Sequence, residues 1–232
     1  MIEQQKTCRP SSYLGLALLG ALIALSGCSR SDDGTETSKI NGSIHIVAGK
    51  PAGPAETVNG NIEIDDNAAV TVANTVNGGI RLGAHATAVS LNTVNGNITV
   101  GADARVAKGA QSVNGGVAVR DGAEVLGPVT NVNGKIELTG AHVAGGIRTV
   151  NGNISIYGAS HVEGGILVEK AGGQVIHFGN DIPRIEIGPG ATVEGELHFQ
   201  REVKLYVSER ATIGPVTGTT PIQFSGDTPP AD

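Results

Sequence analysis

The sequence predicts an all-β protein, a single-stranded parallel β-helix with three sides, about 18 residues per coil and about ten coils. Three observations support this prediction. The dipeptide Asn-Gly recurs at a nearly constant interval, apolar residues recur every six positions, and glycine is abundant at 35 of 232 residues while aromatic residues make up only 3%. The core is therefore expected to consist of small aliphatic side chains. The pattern leaves the handedness of the helix open.

The Asn-Gly dipeptide marks one corner of each coil. Its asparagines are Asn41, Asn59, Asn77, Asn95, Asn114, Asn133 and Asn151, at intervals of 18, 18, 18, 19, 19 and 18 residues. Glycine and asparagine adopt positive φ at the lowest cost, as a sharp corner requires. Stacked coils are also expected to align the seven amides in a hydrogen-bonded ladder. The same dipeptide is typical of antiparallel hairpins, so a β-meander is the alternative fold.

A six-residue period divides each coil into three short strands. The inward positions predicted from it begin with Val58, Ile64, Val70 and Val76. A second small or aliphatic residue follows four positions later, as Ile98 does after Val94. Because alternate residues of a strand share a face, each side of the coil then points two side chains inward. The solenoid is predicted to span residues 40–217 with a break near 171–183, followed by a Thr- and Pro-rich tail, 218–232.

The N-terminal residues are typical of an exported protein. Lys6 and Arg9 precede an apolar run, 14–25, which is too short to cross a bilayer of ~30 Å as a helix. The run ends in Leu-Ser-Gly-Cys, which resembles the lipobox of bacterial lipoproteins, in which the signal peptide is removed and the cysteine is diacylated. The resemblance implies a signal peptide, 1–27, and lipidation of Cys28. A flexible polar tether then extends to residue 39.

The same resemblance predicts the location. Ser29 follows Cys28, whereas aspartate there resembles the signal that retains lipoproteins in the inner membrane of Gram-negative bacteria. The chain is therefore expected in the cell envelope, lipid-anchored to the outer membrane. With Cys8 in the removed peptide and Cys28 acylated, the mature chain has no free thiol for a disulfide, a nucleophile or a metal site.

Composition and motifs favour a non-enzymatic protein. The formal net charge of −6 gives no reason to expect nucleic-acid binding. No phosphate loop, dinucleotide fingerprint, Gly-x-Ser-x-Gly or His-Glu-x-x-His motif is present. The six histidines, at positions 45, 85, 142, 161, 177 and 198, fall at varied places in the repeat. We predict no catalytic residue, metal site or cofactor.

Three families share features with the repeats. The hexad V-G-A-D-A-R at 100–105 is similar to the hexapeptide repeat of left-handed β-helix acyltransferases. The segments at 122–129 and 187–197 resemble bactofilins, which are polymer-forming β-helices. The repeated T-V-N-G-N-I, at Thr57, Thr93 and Thr149, resembles bacterial adhesin-type domains of unknown function that form β-solenoids. These resemblances imply, respectively, acyl transfer from an acyl-CoA-type donor, self-polymerisation, and surface binding.

The expected function is that of a structural spacer or an adhesin-like binding module. A self-polymerising scaffold is the alternative, and an acyltransferase is less consistent with export from the cytoplasm. The partners expected are the membrane, through the lipid anchor, and glycans, peptidoglycan, an envelope protein or further copies of the chain. The predicted binding face comprises the residues before each Val-Asn-Gly: Thr57, Thr75, Thr93, Ser112, Asn131 and Thr149.

Overall fold

The protein is a parallel β-solenoid. The structure, a computed structural model, describes residues 37–170 and 182–231, in which 26 β-strands and no helix occur. Each strand pairing among these residues is parallel. The predicted solenoid is thus confirmed, and the antiparallel meander is excluded.

One side of the solenoid is a ten-stranded sheet with one strand from each coil. Its strands are β2 (Ile44–Ile46), β5 (Ile62–Ile64), β7 (Ile80–Leu82), β9 (Ile98–Val100), β11 (Val117–Val119), β14 (Lys135–Thr139), β17 (Asn153–Tyr157), β20 (Arg184–Ile187), β23 (Lys204–Ser208) and β26 (Ile222–Phe224). The ten strands correspond to the ten coils that were predicted. Register is regular, as where Ile62 pairs with Ile80 and Ile80 with Ile98.

A sixteen-stranded sheet wraps around the other two sides. Its strands are β1 (Thr37–Asn41), β3 (Pro51–Ala52), β4 (Ala55–Asn59), β6 (Ala69–Asn77), β8 (Thr87–Asn95), β10 (Arg105–Asn114), β12 (Glu124–Val125), β13 (Val129–Asn133), β15 (His142–Val143), β16 (Ile147–Thr149), β18 (His161–Val162), β19 (Ile166–Val168), β21 (Thr192–Val193), β22 (Leu197–Phe199), β24 (Thr212–Ile213) and β25 (Val216–Thr217). β10 pairs with β12 near its start and with β13 near its end. The long strands therefore continue through a corner of the coil. In later coils, the same corner separates two short strands.

The core is a column of small aliphatic side chains. On the ten-stranded sheet, Ile98, Val117 and Ile136 are at most 1% exposed. The other two sides contribute mainly alanine and valine, such as Ala104 and Val106, also at most 1% exposed. Each fully buried Ile or Leu contributes about 1.5–3 kcal/mol to stability. Because every coil buries its apolar side chains only within itself and against its neighbours, stability depends on stacking.

The break in the repeat lies between β19 and β20. Ile154 pairs with Ile185, a separation of 31 residues. Val162 likewise pairs with Val193. Residues 171–181, which include His177, lie outside the described part of the chain. The strands on both sides of the break stay in register.

The described strands extend beyond the predicted bounds of the solenoid. β1 begins at Thr37, within the predicted tether, and β26 lies within the predicted tail. Phe224 of β26, the last strand of the ten-stranded sheet, is 7% exposed. The predicted signal peptide and Cys28 lie outside the described residues. Within those residues, no helix has the length and apolar character needed to span a membrane.

Candidate binding face beside the Asn-Gly corner

The residues predicted to form a binding face are buried. The exposed fractions are between 0% and 4% for Thr57, Thr75, Thr93, Ser112, Asn131 and Thr149. Their side chains instead make hydrogen bonds within the coil stack. The Oγ1 of Thr75 donates to the backbone carbonyl of Gly60 at 3.0 Å, and that of Thr93 to Gly78 at 2.9 Å. The prediction of an exposed Thr, Ser and Asn array is therefore wrong.

The error arises because the inward phase shifts by one residue on this side of the coil. Ala73 and Thr75 point inward, whereas Val76, predicted to be inward, is half-buried on the outer surface. The physical reason for this shift is that the backbone carbonyl of the glycine in the preceding coil needs a hydrogen-bond donor. The inward side chain next to the corner supplies it. An unsatisfied buried carbonyl costs about 1–3 kcal/mol, so a hydroxyl is favoured over a valine. No buried side-chain polar atom lacks a partner in the described residues.

Replacing Thr93 with valine, which has nearly the same shape, should lower the free energy of unfolding by about 1–3 kcal/mol. The substitution removes the donor to the Gly78 carbonyl while the side chain remains buried. Equilibrium urea denaturation measures the effect. The matched control is Thr99→Val on β9, where the side chain is half-exposed, and its expected effect is within about 0.5 kcal/mol. Equal effects of the two substitutions would contradict the role of the buried hydroxyl.

The asparagines of the Asn-Gly corners form a continuous amide ladder. The Nδ2 of each one donates to the Oδ1 of the asparagine one coil earlier, from Asn59 to Asn41 through Asn151 to Asn133, with six bonds of 2.9–3.0 Å. At the C-terminal end, Arg201 donates to the Oδ1 of Asn151. The amides are therefore held in one orientation along the stack.

Glycine follows these asparagines because the stacked backbones approach closely. A Cβ on Gly78, Gly96 or Gly115 would lie 2.0 Å from the carbonyl oxygen of the glycine in the preceding coil. Positive φ, the reason inferred from the sequence, applies only at Gly42 and Gly134 among the seven Asn-Gly glycines. Positive φ occurs instead at another corner, where Asn67, His85 and Asp103 have φ of 58°, 55° and 56°.

Three rows of side chains run along the outer surface of this side and are uncharged over four coils, while Glu56 and Arg148 continue the first row at its two ends. We define the amide–valine face by twelve residues: Asn74, Asn92, Gln111 and Thr130 in the first row, Val76, Val94, Val113 and Val132 in the second, and Asn77, Asn95, Asn114 and Asn133 in the third. The valines are half-buried, and the third row is exposed. In the first row, Asn92 donates to Asn74 at 2.9 Å, and Asn74 to Glu56 at 2.9 Å.

The amide–valine face has the chemistry to bind a neutral polar ligand. A primary amide offers two N–H donors and two carbonyl lone pairs. Within the ladder, the exposed amide of Asn95 uses one donor and one lone pair on its neighbours, so that one further donor and one further lone pair belong to each such inner amide. The hydrogen bonds along the ladder fix the amide orientation before any ligand arrives, which lowers the entropy cost of binding.

One pattern in the sequence indicates which residues beside the corner are buried, although it conflicts with the six-residue period. Thr or Ser at nearly every position before Val-Asn-Gly is typical of a site where one hydroxyl always has the same partner. Such uniformity indicates a satisfied interior position. The residue before it varies among Glu, Asn, Gln, Thr and Arg, as expected of an outward position, whereas the residue after it is Val in each of these six repeats.

The described histidines mostly pair with carboxylates on the surface. The rings of His142 and His161 stack with centroids 5.3 Å apart. The first bonds to Glu163 at 2.8 Å, and the second to Glu194 at 2.9 Å. Among the residues that the structure describes, no three His, Cys, Asp or Glu side chains are grouped so as to hold a metal ion.

A hydrogen bond links His45 and Asp65, whose Nε2 and Oδ1 atoms are 2.7 Å apart. This bond raises the pKa of His45 and lowers the pKa of Asp65. The pair therefore favours the folded state between the ordinary pKa values of the two groups, and its contribution is lost as the pH falls through the lowered pKa of Asp65 or rises through the raised pKa of His45. Both side chains lie at the surface, so the role is local.

A second cluster holds the C-terminal tail against the ten-stranded sheet. The Tyr157 hydroxyl donates to Glu186 at 2.7 Å, and Arg184 bonds to the same carboxylate at 2.5 Å. Arg184 lies over the ring of Tyr206, 4.1 Å from its centroid, and donates to the Pro230 carbonyl. Burial and the Glu186 carboxylate raise the pKa of Tyr157, so this phenol stays protonated. Burial opposes ionisation of Glu186, but the bonds from Arg184 and Tyr157 outweigh it and lower the pKa of Glu186.

Comparison of the chain with protein-family models, with curated proteins and with solved structures finds no match.

Proposed function

We propose that the protein is a non-enzymatic, lipid-anchored spacer of the bacterial cell envelope that binds glycans through the amide–valine face. The lipobox-like sequence that ends at Cys28 supports a lipid anchor, and Ser29 in place of aspartate supports the outer membrane. The stacked coils supply a rigid body of about ten strand spacings, each ~4.8 Å. The observation that carries the proposal is the uncharged face on which oriented amides flank a row of valines.

Glycans match this arrangement of polar and apolar groups. A pyranose ring presents apolar C–H groups on its faces and hydroxyl groups around its edge. The valine row offers an apolar strip for the ring faces, and the further donors and lone pairs of Asn95 and Asn114 are available to bond the hydroxyls. The amides recur once per strand spacing, so a long sugar chain that lies along the solenoid axis would meet equivalent amides in successive coils.

The lack of charge on the face favours contact with the uncharged ring faces and hydroxyl groups of a sugar chain. The twelve defining residues carry no formal charge, although 16% of the whole chain is Asp, Glu, Lys or Arg. Binding through a preformed surface without a deep cavity is typical of adhesin-like recognition of long polymers, in which many weak contacts add along the chain. The proposal assigns no catalytic step to any residue.

The double substitution Asn92→Lys and Gln111→Lys tests the proposal. The two added charges lie in the first row, where a bound sugar would have to desolvate them, so glycan affinity should fall by about tenfold or more. Binding is measured by co-sedimentation of the mature protein, with Cys28 replaced by serine, with insoluble chitin and with purified peptidoglycan sacculi.

The matched control is Thr87→Lys with Ala107→Lys. These two exposed positions lie on β8 and β10, the same strands, but on the adjoining side of the coil. The control adds equal charge and should leave binding unchanged. Equal binding by the face variant and the parent protein, or equal loss in the control, would overturn the assignment of this face. Circular dichroism establishes that both variants keep the β-solenoid.

A further inference from the structure

A groove of about 520 Å³ lies on the outer surface of the ten-stranded sheet. The Asn-Gly corner separates it from the amide–valine face. It forms because the fifth coil has small residues where its neighbours have larger ones. Gly116 stacks between Asn97 and Lys135, and Ala118 pairs with Thr99 on one side and Glu137 on the other. The two flanking coils therefore form walls about two strand spacings apart, or roughly 9–10 Å.

The floor of the groove is fixed by the backbone. The N–H of Gly116 donates to the Oδ1 of Asn97 at 2.7 Å. A Cβ at Gly116 would lie 2.9 Å from the carbonyl oxygen of Lys135, so a side chain there would force the coils to shift. Gly116 therefore keeps the groove open, and the close contact between the stacked backbones determines the shape of the groove.

The rim of the groove carries an excess of positive charge. Arg120 and Lys135 both pair with the single carboxylate of Glu137, with N–O distances of 3.2 and 3.3 Å. No other acidic residue lines the described groove. One carboxylate cannot neutralise two cations, so the rim retains about one positive charge. The guanidinium has five N–H donors and can bond a second carboxylate while it keeps Glu137.

We propose that this groove binds a carboxylate carried by a glycan that lies on the amide–valine face. The inference rests on the proposed function, because the groove begins at Asn97 and Gly115, directly beside the ladder residues Asn95 and Asn114. A sugar ring on the face can therefore direct a substituent around the corner into the groove. There Arg120 and Lys135 bond the carboxylate, and the Asn97 amide lies beside it.

The groove extends the specificity of the surface. The amide–valine face recognises the neutral part of the polymer, and the groove selects chains that carry a carboxylate at a suitable interval. Two sources share this chemistry: uronic acids in polysaccharides and the peptide-linked carboxylates of peptidoglycan strands. With either source, the carboxylate gives up bound water and gains two charge-assisted hydrogen bonds at a partly exposed site. Salt is expected to weaken these bonds.

The test uses the Cys28→Ser mature chain and the variant Arg120→Gln with Lys135→Gln. Probes are polygalacturonate, its fully methyl-esterified form as the neutral match, and soluble peptidoglycan strands. We expect the parent protein to prefer an acidic probe, and the variant to bind that probe about fivefold to tenfold more weakly, the loss expected for removing charge-assisted hydrogen bonds. Binding of the methyl-esterified polymer should be unchanged.

The control is Arg105→Gln with Lys108→Gln. It removes the same two charges from exposed positions of β10 on the adjoining side. Preference for polygalacturonate assigns a uronate, and preference for peptidoglycan strands assigns their carboxylates; either supports the proposal. Equal affinity of the parent protein for acidic and neutral probes would overturn the groove assignment and leave glycan binding intact. Equal loss in the control would also overturn it, and absence of binding to every probe would reject both proposals.

Discussion

Replacing Gly96 with alanine should lower the free energy of unfolding by about 3 kcal/mol or more, among the larger effects of a single added methyl group. The new Cβ would lie 2.0 Å from the carbonyl oxygen of Gly78 and 2.5 Å from its carbonyl carbon. The obstacle is backbone, which cannot rotate away as a flexible side chain can. The neighbouring hydrogen bonds, from Gly78 N to Asn95 O and from Gly96 N to Asn114 O, fix the coil spacing on both sides.

The backbone conformation of Gly96 lies outside the left-handed region, so the expected loss comes from coil-to-coil contact alone. The control is Gly226→Ala in the C-terminal tail, where the nearest atom would be 3.5 Å from the added Cβ. The control should change the free energy of unfolding by no more than about 0.5 kcal/mol. Urea denaturation measures the free energy of unfolding of both variants. A small effect at Gly96 would show that the coils separate at this corner at little cost.

The fold was predictable because its evidence is repeated many times along the chain. Asn-Gly and the apolar positions of the ten-stranded sheet, such as Ile62, Ile80 and Ile98, recur with the spacing that the observed strand register requires. The seven corner amides align as expected, since a constant interval brings identical residues above one another. Periodicity alone therefore gives the coil count, the parallel pairing and the ladder.

The binding surface was harder to predict because its orientation depends on a backbone group. Whether Thr75 or Val76 points inward is decided by the carbonyl of Gly60, which lies 15 residues from Thr75 in sequence. Both orientations satisfy an alternating pattern, and a one-residue shift exchanges the two faces of a strand. Gly116 likewise resembles any other corner glycine until stacking places it between Asn97 and Lys135.

Replacing Ile98 with alanine tests whether the core column of the ten-stranded sheet carries the stability of the stack. Ile98 is fully buried in β9, and it pairs with Ile80 and Val117 in the adjacent coils. Truncation removes apolar contacts in its own coil and in both neighbours. We expect the free energy of unfolding to fall by about 2–5 kcal/mol, the range for Ile→Ala in a closely packed core.

The same substitution at Ile222, which is 46% exposed in the last coil, provides the control and should cost less than about 1 kcal/mol. Because stability in a solenoid is a sum of coil and interface terms, damage in a central coil weakens two interfaces, whereas damage at an end weakens one. Urea denaturation compares the midpoints, and limited proteolysis locates the first cleavage. Cleavage near β9 in the Ile98 variant supports a stack held by its apolar column. Equal losses for the two variants would mean instead that the hydrogen bonds between coils govern the stability of the solenoid.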